Sequence, residues 1–174
     1  MRAAFGKSCV AESRRLSYVT RMKTILAPID FSPASDAVIT QAVSLARALD
    51  GRVVLLTVLQ PLVVTAEYAP LLENIAEITI AGEKHAARQL AKLQERLRTD
   101  FVKVETVQLT GAPVPHIVEQ AEKHGADYIV MGSHGHTAFY DLVVGSTTHG
   151  VVKRARCPVV IVPPQKTKPS KAKK

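Results

Sequence analysis

Short apolar runs alternate along this chain with longer stretches whose apolar residues recur every three or four positions. Thr24-Ile25-Leu26-Ala27-Pro28-Ile29 is apolar on both faces and reads as a buried strand ending at Asp30. Ser32-Pro33 then opens a helix, with Ser32 as N-cap and proline at the first helical position. Ala37, Val38, Ala42, Leu45, Ala46 and Leu49 keep helical spacing until Asp50-Gly51 stops it. A second strand covers Val53 to Leu59, and a connection through Pro61 and Pro70 leads to a long helix over about residues 71–98, with Gly82 weakening its middle. Val102 to Leu109 alternates as a third strand, with a phase slip after Thr106. Gly111-Ala112-Pro113-Val114-Pro115 turns into a short helix that ends at His124-Gly125. Tyr128-Ile129-Val130-Met131 is the fourth strand. A helix from about Ser146 to Arg154 follows, and Pro158-Val159-Val160-Ile161-Val162 closes the domain before Pro163-Pro164.

Five strands, most of them apolar on both faces and separated by helices, predict an α/β fold: a parallel sheet covered on both sides. In such sheets ligands bind beyond the carboxyl ends of the strands, where the strand order reverses. Asp30, Val58 and the loop after Met131 all fall at such ends, so they are expected to meet in space.

The loop after the fourth strand carries the chemistry. Gly132-Ser133-His134-Gly135 and Gly145-Ser146-Thr147-Thr148 form a spaced pair of glycine signals between a strand and a helix. Glycines let backbone approach a ligand closely, and helix N-termini favour an anion by about 0.3–1 kcal/mol even at exposed sites. Ser146, Thr147 and Thr148 add hydroxyls to those amides. Read singly, Ser146 is an ordinary N-cap and Gly132 and Gly135 are ordinary turn glycines; the combination favours phosphate.

Charge changes the picture less than its total implies. The 174 residues carry a formal net charge of +8. Residues 1–23 hold six Lys/Arg against Glu12, and residues 166–174 hold five Lys, so taking +5 twice from +8 leaves −2 for residues 24–165. The basic character belongs to two tails, expected to be solvated, disordered ends rather than a nucleic-acid surface. Tryptophan is absent and aromatics make up 5%, which argues against stacking platforms for single-stranded nucleic acid. The expected organisation is an extension over residues 1–21, a domain over residues 22–164 and a basic tail over residues 165–174, with Met22 read as a natural start. Cys9 and Cys157 lie outside any CxxC pattern, so no disulfide framework or zinc site is indicated, and a reducing cytoplasm is expected. Cys157, before Pro158, reads as a small buried hydrophobe. No apolar run reaches the roughly 18 residues of a membrane span.

Other nucleotide motifs are missing. No G-x-x-x-x-G-K-[ST] occurs and no G-x-G-x-x-G follows the first strand, which removes the P-loop and the dinucleotide fingerprint. His134 and His136 flank Gly135 and could join His149 in a metal site, but alternating loop histidines without a carboxylate partner read as exposed polar residues. His85 and His116 read as helix-surface residues, His124 as a helix C-terminal residue complementing the dipole, Asp36 as a first-turn acid and Asp141 as a loop residue.

At this point the residues resemble a family. G-x-x-G, nine residues, then G-[ST] is met by Gly132, Gly135 and Gly145-Ser146. It is similar to the ATP-binding signature of the universal stress protein family. Ala27-Pro28-Ile29-Asp30 followed by Phe31-Ser32, the Leu55-Leu56-Thr57-Val58 segment and a terminal Cys-Pro-Val-Val-Ile-Val-Pro extend the likeness over about residues 23–164. The resemblance implies a sheet ordered 3-2-1-4-5 with helices on both faces, of the Rossmann-like, adenine-nucleotide alpha-hydrolase-like kind. It also implies roles: Asp30 on the ribose or adenine side with Pro28 and Ile29 nearby, Val58 against adenine, and Met131 lining the nucleotide. Gly132 and Gly135, with His134 between them, would admit ribose and phosphates. Gly145, Ser146 and Thr147 would hold the outer phosphates, with Thr148 as an extension. The ligand so implied is ATP, or AMP or ADP, with Mg²⁺ carried by the phosphates.

Three functions are compatible with these residues: an ATP-binding stress-response regulator with little or no catalysis, a weak ATP hydrolase or nucleotidyl transferase, and a nucleotide-independent dimeric interaction protein. The loop lacks a general base held by a partner, a phosphate-binding lysine and an arginine, which favours the first. Val159, Val160, Ile161 and Val162 are apolar at consecutive positions of what would be an edge strand, so a homodimer through this strand is expected. Specific nucleic-acid and membrane partners are not.

Overall fold

The computed structural model describes residues 21–61, 75–98, 102–133 and 144–163. Its elements run β1 (Thr24–Pro28), α1 (Pro33–Ala48), β2 (Arg52–Leu59), α2 (Ile75–Arg98), β3 (Lys103–Thr110), α3 (Pro113–Lys123), β4 (Tyr128–Gly132), α4 (Ser146–Val152) and β5 (Val159–Val162). The strands form one parallel sheet in the order β3-β2-β1-β4-β5. The expected elements are all present; residues 1–20 and 164–174, with His134, Gly135, His136 and Asp141, lie outside the described residues, whereas Arg21, at the end of the expected extension, is described.

Alternate residues of the central strands feed two separate cores. Ile25, Ala27, Val53, Leu55 and Val130 pack with α1 and with Leu90 and Leu97 of α2, while Leu26, Val54, Leu56, Ile129 and Met131 pack with Ile117, Ala121 and Val151 of α3 and α4. This two-sided burial explains why the strands read as continuous apolar runs.

Four local details add to or differ from expectation. Gly82 does not break α2, and β3 pairs with β2 in unbroken register from Arg52↔Lys103 to Leu59↔Thr110, so the shift in side-chain pattern after Thr106 marks no bulge. The positive-φ residue after α1 is Asp50 (φ 49), not Gly51, whose amide instead reaches back to the Ala46 carbonyl at 2.8 Å. Ser32 occupies the N-cap position of α1 yet makes no side-chain cap bond.

Chain reversal creates the crevice. From β1 the chain moves outward through β2 to β3, then returns to β4 on the other side of β1. Strands β1 and β4 pair only at Ile25↔Tyr128 and Leu26↔Ile129, whereas β1 pairs with β2 along its whole length. Their carboxyl ends are thus held by different neighbours, and the sheet opens between them.

Candidate functional site

A cleft of about 180 Å³ lies where the carboxyl ends of β1 and β4 part. Val38, Leu56, Val58, Pro113, Ile117 and Met131 supply its apolar lining; Asp30, Ser32, Ser35, Gly132, Thr147 and Thr148 supply its polar lining. An apolar lining with a few placed polar groups suits a flat heterocycle joined to a polar tail.

The turn after β1 is tightly specified. The Ile29 amide donates to the Leu56 carbonyl at 2.8 Å, and the Thr57 hydroxyl donates to the Ile29 carbonyl at 2.9 Å, which fixes the chain end against β2. Phe31 then takes a left-handed backbone (φ 59), unusual for a bulky residue, with its side chain packed on the first core. That turn folds Asp30 back over the start of α1. Its Oδ1 accepts the Ser32 amide at 3.0 Å and the Ser35 hydroxyl at 3.1 Å. A carboxylate at a helix N-terminus is stabilised by the dipole, and Asp30 holds the turn that leads into α1, while the Ser35 amide of the first turn goes to the Ser32 carbonyl at 2.9 Å rather than to the Ser32 side chain.

On the β4 side, the Ser133 amide donates to the Val162 carbonyl at 2.9 Å, and the Gly145 amide donates to the Ser133 carbonyl at 2.8 Å. The glycine-bearing loop therefore leaves and re-enters the fold at one point. The Thr148 hydroxyl donates to the Gly132 carbonyl at 2.8 Å, tying α4 to the end of β4. Thr148 is buried and its hydroxyl is already engaged, while Thr147 faces the same cleft.

Of the residues singled out from sequence, Pro28, Ile29, Asp30, Val58, Met131, Gly132, Thr147 and Thr148 meet around the cleft. Gly145 and Ser146 sit beside it without lining it. His134 and Gly135 fall outside the described residues. Sequence reasoning missed Ser32, Ser35, Val38, Gln60, Pro113 and Ile117 as lining residues. Asp30-Phe31-Ser32 carried an Asx-turn signal, and Pro113 marked a helix start, but no pattern announced that both helix starts face one crevice.

Elsewhere, His124 is the C-cap of α3, as its place beside Gly125 implied, and its Nδ1 lies 3.8 Å from Glu105. Asp36 sits in the first turn of α1 and pairs with Arg96 at 3.2 Å. Cys157 is half-buried against the second core, and burial, with Asp127 nearby, pushes its thiol pKa up. Among the described residues no three His, Cys, Asp or Glu side chains are grouped to hold a metal, and no helix is long and apolar enough to cross a membrane. In β5, Val162 is buried in the first core and Val159 packs on the second, so only Val160 and Ile161, 38% and 40% exposed, remain open at the sheet edge.

The chain matches the universal stress protein family model over residues 22–163. It is 35% identical over 143 residues to universal stress protein MJ0531 of Methanocaldococcus jannaschii, covering 80% of this chain and 81% of the relative. Its fold superposes on the universal stress protein UspA from Lactobacillus plantarum with a TM-score of 0.70 at 30% identity, covering 82% of this chain and 98% of the other. More distant structures of the same fold, both at 22% identity, include a universal stress protein in complex with cAMP (TM-score 0.52) and one from Archaeoglobus fulgidus in complex with dAMP (TM-score 0.55). The first of these covers 80% of this chain and 95% of its own, the second 82% and 98%.

Proposed function

We propose, from the premise that this chain belongs to the universal stress protein family, that its cleft binds ATP and that the protein acts as a nucleotide-dependent stress-response regulator with little or no catalysis. The observation that carries this reading is the convergence of Asp30, Val58, Met131, Gly132 and Thr147 on one crevice at the reversal of strand order. Val58 and Met131, with Ile117 opposite, would sandwich the adenine. Asp30 would face the ribose, and Gly132 and Thr147 would admit the phosphates, which bring Mg²⁺ with them. Adenine nucleotides in distant relatives of the same fold support the ligand class.

The residues present fit such a ligand. Apolar side chains from α1, β2, α3 and β4 line the cleft together with carboxylate and hydroxyl groups from the β1–α1 turn and the start of α4. A regulator needs a ligand that binds two states of the protein with different affinity, and ATP in this cleft would be that ligand. We further propose that the protein works as a homodimer joined through β5, where Val160 and Ile161 leave an apolar, hydrogen-bonding edge open.

Purified protein should carry or bind an adenine nucleotide. Mass spectrometry of the nucleotide released on denaturation, with calorimetry of ATP binding to nucleotide-free protein, tests this. Absence of binding at millimolar ATP would overturn the assignment in favour of a nucleotide-independent interaction protein. Steady release of phosphate would replace the regulator with a hydrolase.

A further inference from the structure

We propose that Ser32 reads a sugar hydroxyl in the cleft and so makes the site prefer a nucleotide with both ribose hydroxyls to an analogue that lacks one of them; this rests on the nucleotide reading above.

Ser32 stands at the N-cap of α1, where a serine oxygen ordinarily accepts an amide from the first turn. Here that duty has been taken by other groups. The Ser35 amide donates to the backbone carbonyl of Ser32 at 2.9 Å, and the Ser35 hydroxyl and the Ser32 amide both go to Asp30 Oδ1. The Ser32 hydroxyl is thereby released. It is buried, with the residue only 5% exposed, and has no hydrogen-bond partner among the described residues. A buried hydroxyl without a partner is costly, and its occurrence in a binding crevice points to a group supplied by the ligand. Ser32 lines the cleft, and a single side-chain torsion sets the direction of its Oγ.

Charge selects which part of a nucleotide this would be. Asp30 places a carboxylate against the same turn, so a phosphate would meet like charge, whereas a neutral hydroxyl can donate to one neighbour and accept from the other. Phosphates are better placed at Gly132 and Thr147, on the opposite side of the crevice. The neutral hydroxyls of a nucleotide are those of its ribose. A site that has reserved a buried polar group for a hydroxyl discriminates against the analogue that lacks it.

The test uses the full chain, wild type and Ser32→Ala, with ATP, 2′-deoxy-ATP and 3′-deoxy-ATP in calorimetry, and thermal melting without nucleotide. Wild type should bind ATP about tenfold more tightly than one of the two deoxy analogues, a modest value for one hydrogen bond. Ser32→Ala should abolish that preference while keeping its affinity for that analogue, and its melting temperature without ligand should be equal or higher. Unchanged ATP-to-deoxy ratios in Ser32→Ala, or no preference in wild type, would overturn the role of Ser32 while leaving ATP binding intact. A lowered melting temperature for Ser32→Ala would show a helix cap and overturn it too. Wild type that binds none of the three would overturn this inference and the nucleotide reading together.

Discussion

The backbone amide of Thr24 donates to Asp127 Oδ2 at 2.9 Å, joining the first residue of β1 to the residue before β4, 103 positions away. The Asp127 amide returns a bond to the Thr24 carbonyl at 2.8 Å, and Lys23 and Arg21 reach the same carboxylate at 3.0 and 3.3 Å. Because β1 and β4 pair at only two positions, this junction fastens their amino ends, at the other end of the strands from the crevice.

Burial pushes the Asp127 pKa up, but the Thr24 amide, the Lys23 bond and the charges of Lys23 and Arg21 outweigh it and hold the pKa below its ordinary 3.8. A carboxylate with a lower pKa folded than unfolded stabilises the fold fully above the unfolded value, and that stabilisation is lost as pH falls through the folded one. Asp127→Ala should lower the unfolding free energy by about 1–3 kcal/mol near neutral pH, most of it from the stranded Thr24 amide, since both cations are largely exposed. Urea denaturation of both proteins should show the gap narrowing as the pH drops below about 4. A gap independent of pH would contradict this account.

Thr148 fastens α4 to the end of β4 through its hydroxyl, whereas Thr147 faces the cleft. Thr148→Val keeps the shape and removes the donor to the Gly132 carbonyl, at an expected cost of about 1–2 kcal/mol in stability. Thr147→Ala should leave stability unchanged and weaken ATP binding severalfold. Equal loss of stability in the two variants, read by chemical denaturation, would show that the threonines share one role.

Gly145 holds φ −55 and ψ 151, a backbone any residue adopts, so no conformational demand explains a glycine there. The proposed nucleotide reading accounts for it by close approach of a phosphate, given its place in the glycine signature. Gly145→Val should fold with an unchanged melting temperature and lose at least about tenfold in ATP affinity. Calorimetry that returns wild-type affinity would remove Gly145 from the site.

Val160 and Ile161 present apolar side chains on opposite faces of an edge strand, whereas Val162 belongs to the core. Val160→Lys with Ile161→Lys should therefore disrupt self-association without unfolding the chain, as charge on an edge strand does. Light scattering should report twice the chain mass for wild type and a shift towards the single-chain mass for the double variant. A wild type of single-chain mass at micromolar concentration would exclude the dimer.

The sequence by itself determined the elements, their order and the two-sided burial of the sheet. Runs such as Val53 to Leu56, apolar at every position, cannot be satisfied by one core face, and the intervening helical stripes supply the two covers. It also placed Asp30, Val58 and Met131 at strand ends, which in a parallel sheet is enough to make them neighbours. Tertiary structure decided which polar groups were already engaged. Capping preference is local and made Ser32 a cap, but in the fold the Ser35 amide goes to the Ser32 carbonyl and Asp30 takes the Ser32 amide and the Ser35 hydroxyl, which leaves the serine side chain without that role. Likewise four consecutive apolar residues in β5 look alike in sequence, yet α1 and the second core cover Val162 and Val159 and leave Val160 and Ile161 open. Hydrophobic periodicity reports which residues seek burial; only the packed fold fixes the competition for each hydrogen bond and for each covered face, because those partners come from positions far apart in the chain.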